Sequence, residues 1–228
     1  MLYRKLPALI IILLAFSNTA AVIATGNSGG DIVVYTLKYT LETETVEIEA
    51  GIPVLEGLQD KTTQEDFNRY LRDVVIRYTD DIKKHGDQSL RKQISEGHPV
   101  FKYQAYVCYE LKSKEKVLSL YMSFYQYTGG AHGLTGVFTY NLDPATGRLL
   151  TFQDILEQYS LELADIKDSI INELNKEPGL YFSDTGEYIK NKDEFDFYIE
   201  DNHLVIFFQQ YEIAPYVVGI PEFKIPLY

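Results

Sequence analysis

Tryptophan is absent from the 228 residues, cysteine occurs once, methionine twice and histidine four times. The lone Cys108 allows no intramolecular disulfide, so stability has to come from packing. Its place in an alternating run predicts a buried, inert thiol. His85, His98, His132 and His203 show none of the close spacings that hold a metal on a helix or in a knuckle. There is no Gly-x-Ser-x-Gly elbow, no phosphate loop, no internal repeat and no low-complexity tract, so no metal, cofactor or nucleophile is expected. Basic residues are also scarce, 21 against 33 acidic, for a net charge of −12. A field of that sign disfavours nucleic acid and anionic membrane surfaces and steers cationic proteins or peptides inward, although it also serves plain solubility.

What is plentiful is tyrosine, with 19 residues in a chain that is 46% hydrophobic and 24% charged. That composition folds, and the length suits one large or two small domains. A tyrosine combines a large apolar body with a polar tip, which suits half-buried sheet faces or contact surfaces.

At the start, Arg4 and Lys5 precede an apolar run from Leu6 to Phe16, followed by Thr19, Ala20, Ala21 and Ala24. This order predicts a secretory signal over residues 1–24 or, uncleaved, an N-terminal anchor, the only membrane contact expected. Cleavage removes two basic residues and no acid, leaving −14. The expected location is outside the cytoplasmic membrane, secreted or anchored there.

After a Gly26 to Gly30 linker, residues 32–49 alternate as a strand pair. Thr62 with Glu65 forms a candidate capping box for a helix whose stripe, Phe67, Tyr70, Leu71, Val74, Val75, Tyr78 and Ile82, ends near Gly86. Pro99 to Leu111 and Val117 to Tyr127 alternate, separated by a polar turn. Thr151 with Asp154 caps a short helix, Ser160 is expected to cap a longer one, and Pro178-Gly179 stops it. The polar stretch to Lys192 is expected to be a loop. Strands at 194–199 and 204–208 flank Asp201-Asn202, a tight hairpin turn, and a last strand begins at Glu222. The expectation is an α+β protein of two small fused domains, antiparallel sheets each with packed helices, divided as 31–112 and 113–228.

The most specific chemistry lies between two strands, at Tyr125-Gln-Tyr-Thr-Gly-Gly-Ala-His-Gly133. Gly129, Gly130 and Gly133 permit a tight connection, and His132 sits between two small residues. Along the preceding strand Leu118, Leu120, Met122 and Phe124 share one face, and Ser119, Tyr121, Ser123, Tyr125 and Tyr127 the other. The latter fits a core or a contact surface. If the chain ends near Tyr127 and Tyr211 meet, His132, Tyr211, Glu212 and Tyr216 form one site with Tyr125 and Tyr127. It would present aromatic anchors and a carboxylate to a partner, or it would brace the glycine turn. A pairing of His132 with Glu212 for acid and base hydrolysis is a further alternative.

Three motifs occur in order: Tyr127-Thr-Gly-Gly-Ala-His-Gly133, Asn141-Leu-Asp-Pro-Ala-Thr-Gly147, and Phe208-Gln-Gln-Tyr-Glu-Ile-Ala-Pro-Tyr-Val-Val-Gly219. They resemble the extracytoplasmic domain pair shared by the anti-sigma-V factor, a lysozyme receptor, and the noncatalytic region of a peptidoglycan deacetylase. The resemblance runs from about Ile32 to Tyr228 and implies a noncatalytic binding or sensor domain for lysozyme or another cationic protein. Peptidoglycan is the alternative ligand. Only Met1 to Lys5 precede the apolar run, so no sigma-binding segment is expected, and the deacetylase's metal-bearing catalytic domain has no counterpart motif.

Overall fold

The computed structural model describes residues 32–98 and 100–228; the expected signal or anchor and the Gly26 to Gly30 linker lie outside them. Strands β1 (Val33–Glu42) and β2 (Val46–Glu56) form an antiparallel pair, and α1 (Lys61–Glu96) follows. Next come β3 (Tyr103–Lys114), β4 (Leu118–Tyr127) and β5 (Leu134–Leu142), completing a five-stranded sheet in chain order. Helix α1 carries the chain back to its starting end, so β2 and β3 pair parallel, Val46 beside Tyr103, inside an otherwise antiparallel sheet. The second unit comprises α2 (Phe152–Tyr159), α3 (Leu163–Leu174), α4 (Thr185–Asn191), β6 (Asp196–Glu200), β7 (His203–Phe207) and β8 (Glu222–Pro226). Its three strands form a sheet in chain order. The fold is α+β.

The first sheet continues past residue 112 through the β3–β4 turn, so the expected division there does not coincide with its edge. The polar turn at Glu115 and Lys116 joins two strands of one sheet, and the glycine loop is a connection within it. Alternation alone carries no information about which strands share a sheet.

Helix α1 differs from expectation at both ends. Asp60, just ahead of the expected box at Thr62, caps it by accepting from Thr62 and Thr63 amides at 2.9 and 3.2 Å. The helix runs on through Gly86, where an added Cβ would lie 2.7 Å from Val46 Cγ1 and 3.1 Å from Thr45 O. Absence of a side chain lets the helix pass the start of β2. The stop is Gly97, at φ 68°, whose amide reaches back to Ile94 O. Phe67, Leu71, Val75 and Ile82 are buried against Ile48, Ile52, Leu55, Leu118, Leu120 and Met122. Cys108 is exposed: Ala105 and Val107 point into the core, so a period of two turns residue 108 outward.

In the second unit the Thr151–Asp154 capping box forms. Ser160 instead terminates α2 at φ 53°, and α3 starts after Glu162. The expected loop contains α4, whose Ile189 is buried. Asp201 and Asn202, at φ 48° and 58°, make the expected hairpin turn.

The second sheet packs onto the β4–β5 end of the first. Tyr198, Val205 and Phe207 meet Val137, and Tyr121 stands edge-on to Tyr198 at 5.4 Å. A buried polar chain fixes the contact. Ser119 donates to Asn141 Oδ1 at 2.6 Å, Asn141 Nδ2 donates to Phe197 O at 2.9 Å, and Ile199 N donates to Ser119 Oγ at 2.9 Å. Satisfied in this way, buried polar groups specify one register between the sheets.

Candidate functional site

The glycine loop, residues 128–133, turns at the end of β4 with Gly129 and Gly130 at φ 100° and 99°. Side chains disfavour that region, and a Cβ on Gly129 would fall 2.3 Å from Phe101 Cζ, so the loop lies on the Phe101 ring. Gly133 lies as close to Tyr125, whose Cζ would be 2.4 Å from an added Cβ. The Tyr127 hydroxyl donates to Gly130 O at 3.1 Å, and the Tyr78 hydroxyl donates to Tyr125 O at 2.7 Å.

This geometry carries His132 to the C-terminal segment. Its ring lies on Tyr216 with centroids 3.8 Å apart and 19° between planes, and Tyr211 lies at 6.4 Å. Nδ1 is 3.0 Å from Gly133 O and Nε2 is 3.3 Å from the Tyr211 hydroxyl. A carbonyl accepts only, so Nδ1 is the nitrogen that donates to Gly133 O, and in the neutral ring Nε2 is then the acceptor facing the Tyr211 hydroxyl. His132, Tyr211 and Tyr216 therefore form one aromatic cluster, drawn from both sheet units. Tyr211 is 47% exposed and Val217, beside Tyr216, 88%.

Glu212 is next to Tyr211 in sequence and faces elsewhere. Its carboxylate accepts from Gln209 N at 2.8 Å, the Tyr188 hydroxyl at 2.7 Å and Lys192 at 3.2 Å. Burial works against the charge on Lys192, yet the Tyr188 hydroxyl and Glu212 raise its pKa above the ordinary lysine value. Glu212 closes the Gln209–Glu212 turn, in which Tyr211 adopts φ 65°. A bulky side chain in that region is locally unfavourable by roughly 1 kcal/mol or more. Among the described residues, His132 and Glu212 share no hydrogen bond.

Tyr125 stands apart from the cluster, stacked on Tyr106 at 5.5 Å, and Tyr127 leans on Phe101 at 6.0 Å. Two residues that sequence reasoning passed over bind the units at this corner. Gln209 pairs with the edge of β5, accepting from Val137 N at 2.9 Å and donating to Val137 O at 2.8 Å. Gln210 accepts from Thr135 N at 2.7 Å. Their signal was a polar pair directly after an apolar strand, which alone names no partner.

A five-stranded sheet under one long helix, joined to a three-stranded sheet with short helices, defines a two-unit α+β protein. Residues 39–135 match the family described as deacetylase PdaC, and residues 153–228 match a family described as a protein of unknown function, DUF3298. The chain thus matches a PdaC-type domain followed by a DUF3298 domain, which agrees with the resemblance to a domain pair. Among solved structures it resembles a DUF3298 family member from Bacteroides fragilis NCTC 9343, with TM-score 0.63 and 18% identity over 88% of this chain and 92% of that one. A DUF3298 family protein from Pseudomonas aeruginosa PAO1 is similar with TM-score 0.52 and 18% identity, over 87% of this chain and 91% of the other. At such identity the likeness is one of fold. No curated protein matches the chain.

Proposed function

We propose that the protein is an exported, noncatalytic accessory domain that binds a basic protein, of which lysozyme is the leading candidate, through the aromatic corner at His132, Tyr211 and Tyr216. Tyr211 carries this reading: an exposed tyrosine is held at φ 65° by its neighbour's hydrogen bonds, over a histidine already stacked on Tyr216. Structural needs alone would be met better by glycine at that position, so the side chain itself is what the turn presents. Rigid tyrosines make strong anchors at low entropic cost, and the net charge of −12 raises the encounter rate with a basic partner. The engagement of Glu212 by Lys192 and Tyr188 favours this reading over a hydrolase built on His132 and Glu212.

The resemblance to the lysozyme-binding part of an anti-sigma-V factor supplies the candidate partner, and the charged, apolar and small-residue order of residues 1–24 supplies the location. Calorimetric titration of a basic lysozyme into the full chain tests the reading. Heat and a stable complex at low salt, weakened by Tyr211→Ala, are expected. A folded chain giving neither heat nor complex rules lysozyme out, and binding to insoluble peptidoglycan instead would establish the glycan alternative.

A further inference from the structure

Among the described residues of the corner, the carboxylate of Glu212 is ion-paired with Lys192. Carboxylates without an ion pair lie on the uncovered part of the first sheet, reached through Tyr125. Val46, Ile48 and Ala50 face α1, so Glu47 and Glu49 face away from it, as do Gln104 and Tyr106 on β3 and Tyr125 on β4. The second sheet covers this face at Ser119 and Tyr121; the Glu47 end has Glu49 exposed and Glu47, Gln104, Tyr106 and Tyr125 half-buried.

These side chains are ordered among themselves. Tyr125, against the backbone of Gly133, stacks on Tyr106 with 14° between planes. The Tyr106 hydroxyl donates to Glu47 Oε1 at 2.9 Å, and Gln104 Nε2 donates to Oε2 at 3.0 Å. The two donors hold the Glu47 carboxyl below the usual carboxylate range, with Gln104 the larger influence. Burial, then Glu47, pushes the Tyr106 hydroxyl up to about 12. Nearby cations are Lys102, engaged with Glu42 at 2.6 Å, and Lys38 on β1. Among the described residues neither Glu47 nor Glu49 makes an ion pair.

A carboxylate fixed by two side chains beside a stacked aromatic pair, on a surface where water would solvate it equally well, is preorganised for a cation. Resting on the reading of the corner as a basic-protein contact, we propose that the strip Tyr125, Tyr106, Glu47 and Glu49 is its cation subsite, receiving an arginine or lysine side chain of the partner. The aromatic corner then anchors the partner while the strip sets its orientation and salt dependence.

Two probes separate this inference from the corner reading: a basic lysozyme and an octa-arginine peptide, each titrated into the full chain and its Glu47→Gln, Tyr106→Phe and Asp168→Asn variants. Glu47→Gln is expected to weaken both probes by about fivefold, and Tyr106→Phe, which keeps the ring and releases the carboxylate, by less. Asp168→Asn, removing the same charge from an exposed position on α3, should leave affinity unchanged. Unchanged melting temperatures would show that the fold is intact. Lysozyme binding within twofold of the parent for Glu47→Gln overturns the subsite and leaves the corner reading standing. Octa-arginine binding that depends on Glu47, without lysozyme binding, keeps the subsite and rejects lysozyme. Failure of both probes, or equal loss in Asp168→Asn, overturns the subsite.

Discussion

The two faces of β4 are built from the same ten residues and do different work. Leu118, Leu120, Met122 and Phe124 form a dry face under α1, where area removed from water is the stabilising quantity and position is forgiving. Ser119, Tyr121, Ser123, Tyr125 and Tyr127 form the opposite face, which changes character along its length. At Ser119 and Tyr121 it is an interface sealed by hydrogen bonds; at Tyr125 and Tyr127 it is open and supports the glycine loop. A serine and tyrosine face is thus both core and surface, and the boundary falls where the second sheet ends.

That contrast can be broken by mutation. The largest effect is expected from Val75→Asp, a charge placed without a partner at a position 0% exposed on the sheet-facing side of α1. It should cost about 4 kcal/mol, a large share of the roughly 5–15 kcal/mol that holds an ordinary domain folded. A melting temperature near that of the parent would show that α1 does not seal this face. Next comes Asn141→Ala, which strips the acceptor from Ser119 and a donor from Phe197 O. About 2 kcal/mol is expected, read by chemical denaturation, with hydrogen exchange accelerated at the contact between sheets rather than under α1.

Smaller effects sharpen the comparison at the corner. Glu212→Gln keeps the shape but weakens the charge-assisted bonds from Gln209, Tyr188 and Lys192, and should lower stability by about 1 kcal/mol. Tyr211→Gly relieves the φ of 65°; stability should rise by up to about 1 kcal/mol while binding of the basic partner is lost. Loss of stability in Tyr211→Gly would make the tyrosine a brace rather than a contact.

Periodicity made the strands, the core face of β4 and the Val75 stripe legible, because each depends on spacing within one segment. Gly86 was misread because the reason for it, the proximity of Thr45 O and Val46, lies forty residues away. Cys108 was misplaced because an alternating run does not say which of its faces is covered. At the site, the glycines and His132 were legible as a turn, whereas the meeting of His132 with Tyr211 and Tyr216 hung on the ends near Tyr127 and Tyr211 lying together, which no spacing within one segment reveals. That Glu212 faces away was illegible, because its partners Tyr188, on α4, and Lys192, just after it, lie in a stretch too polar to read as a helix.

The parallel pairing of β2 with β3 also bears on the order in which the chain acquires its shape. The β3, β4 and β5 meander is closed by short connections and can form from local encounters, whereas Val46 meets Tyr103 only by closing the chain over the whole of α1. Long-range closure is slow compared with hairpin formation. The strip that joins Glu47 to Tyr106 is therefore assembled late: a refolding chain would regain its glycine loop before the carboxylate beside it, and recovery of binding would trail recovery of β structure.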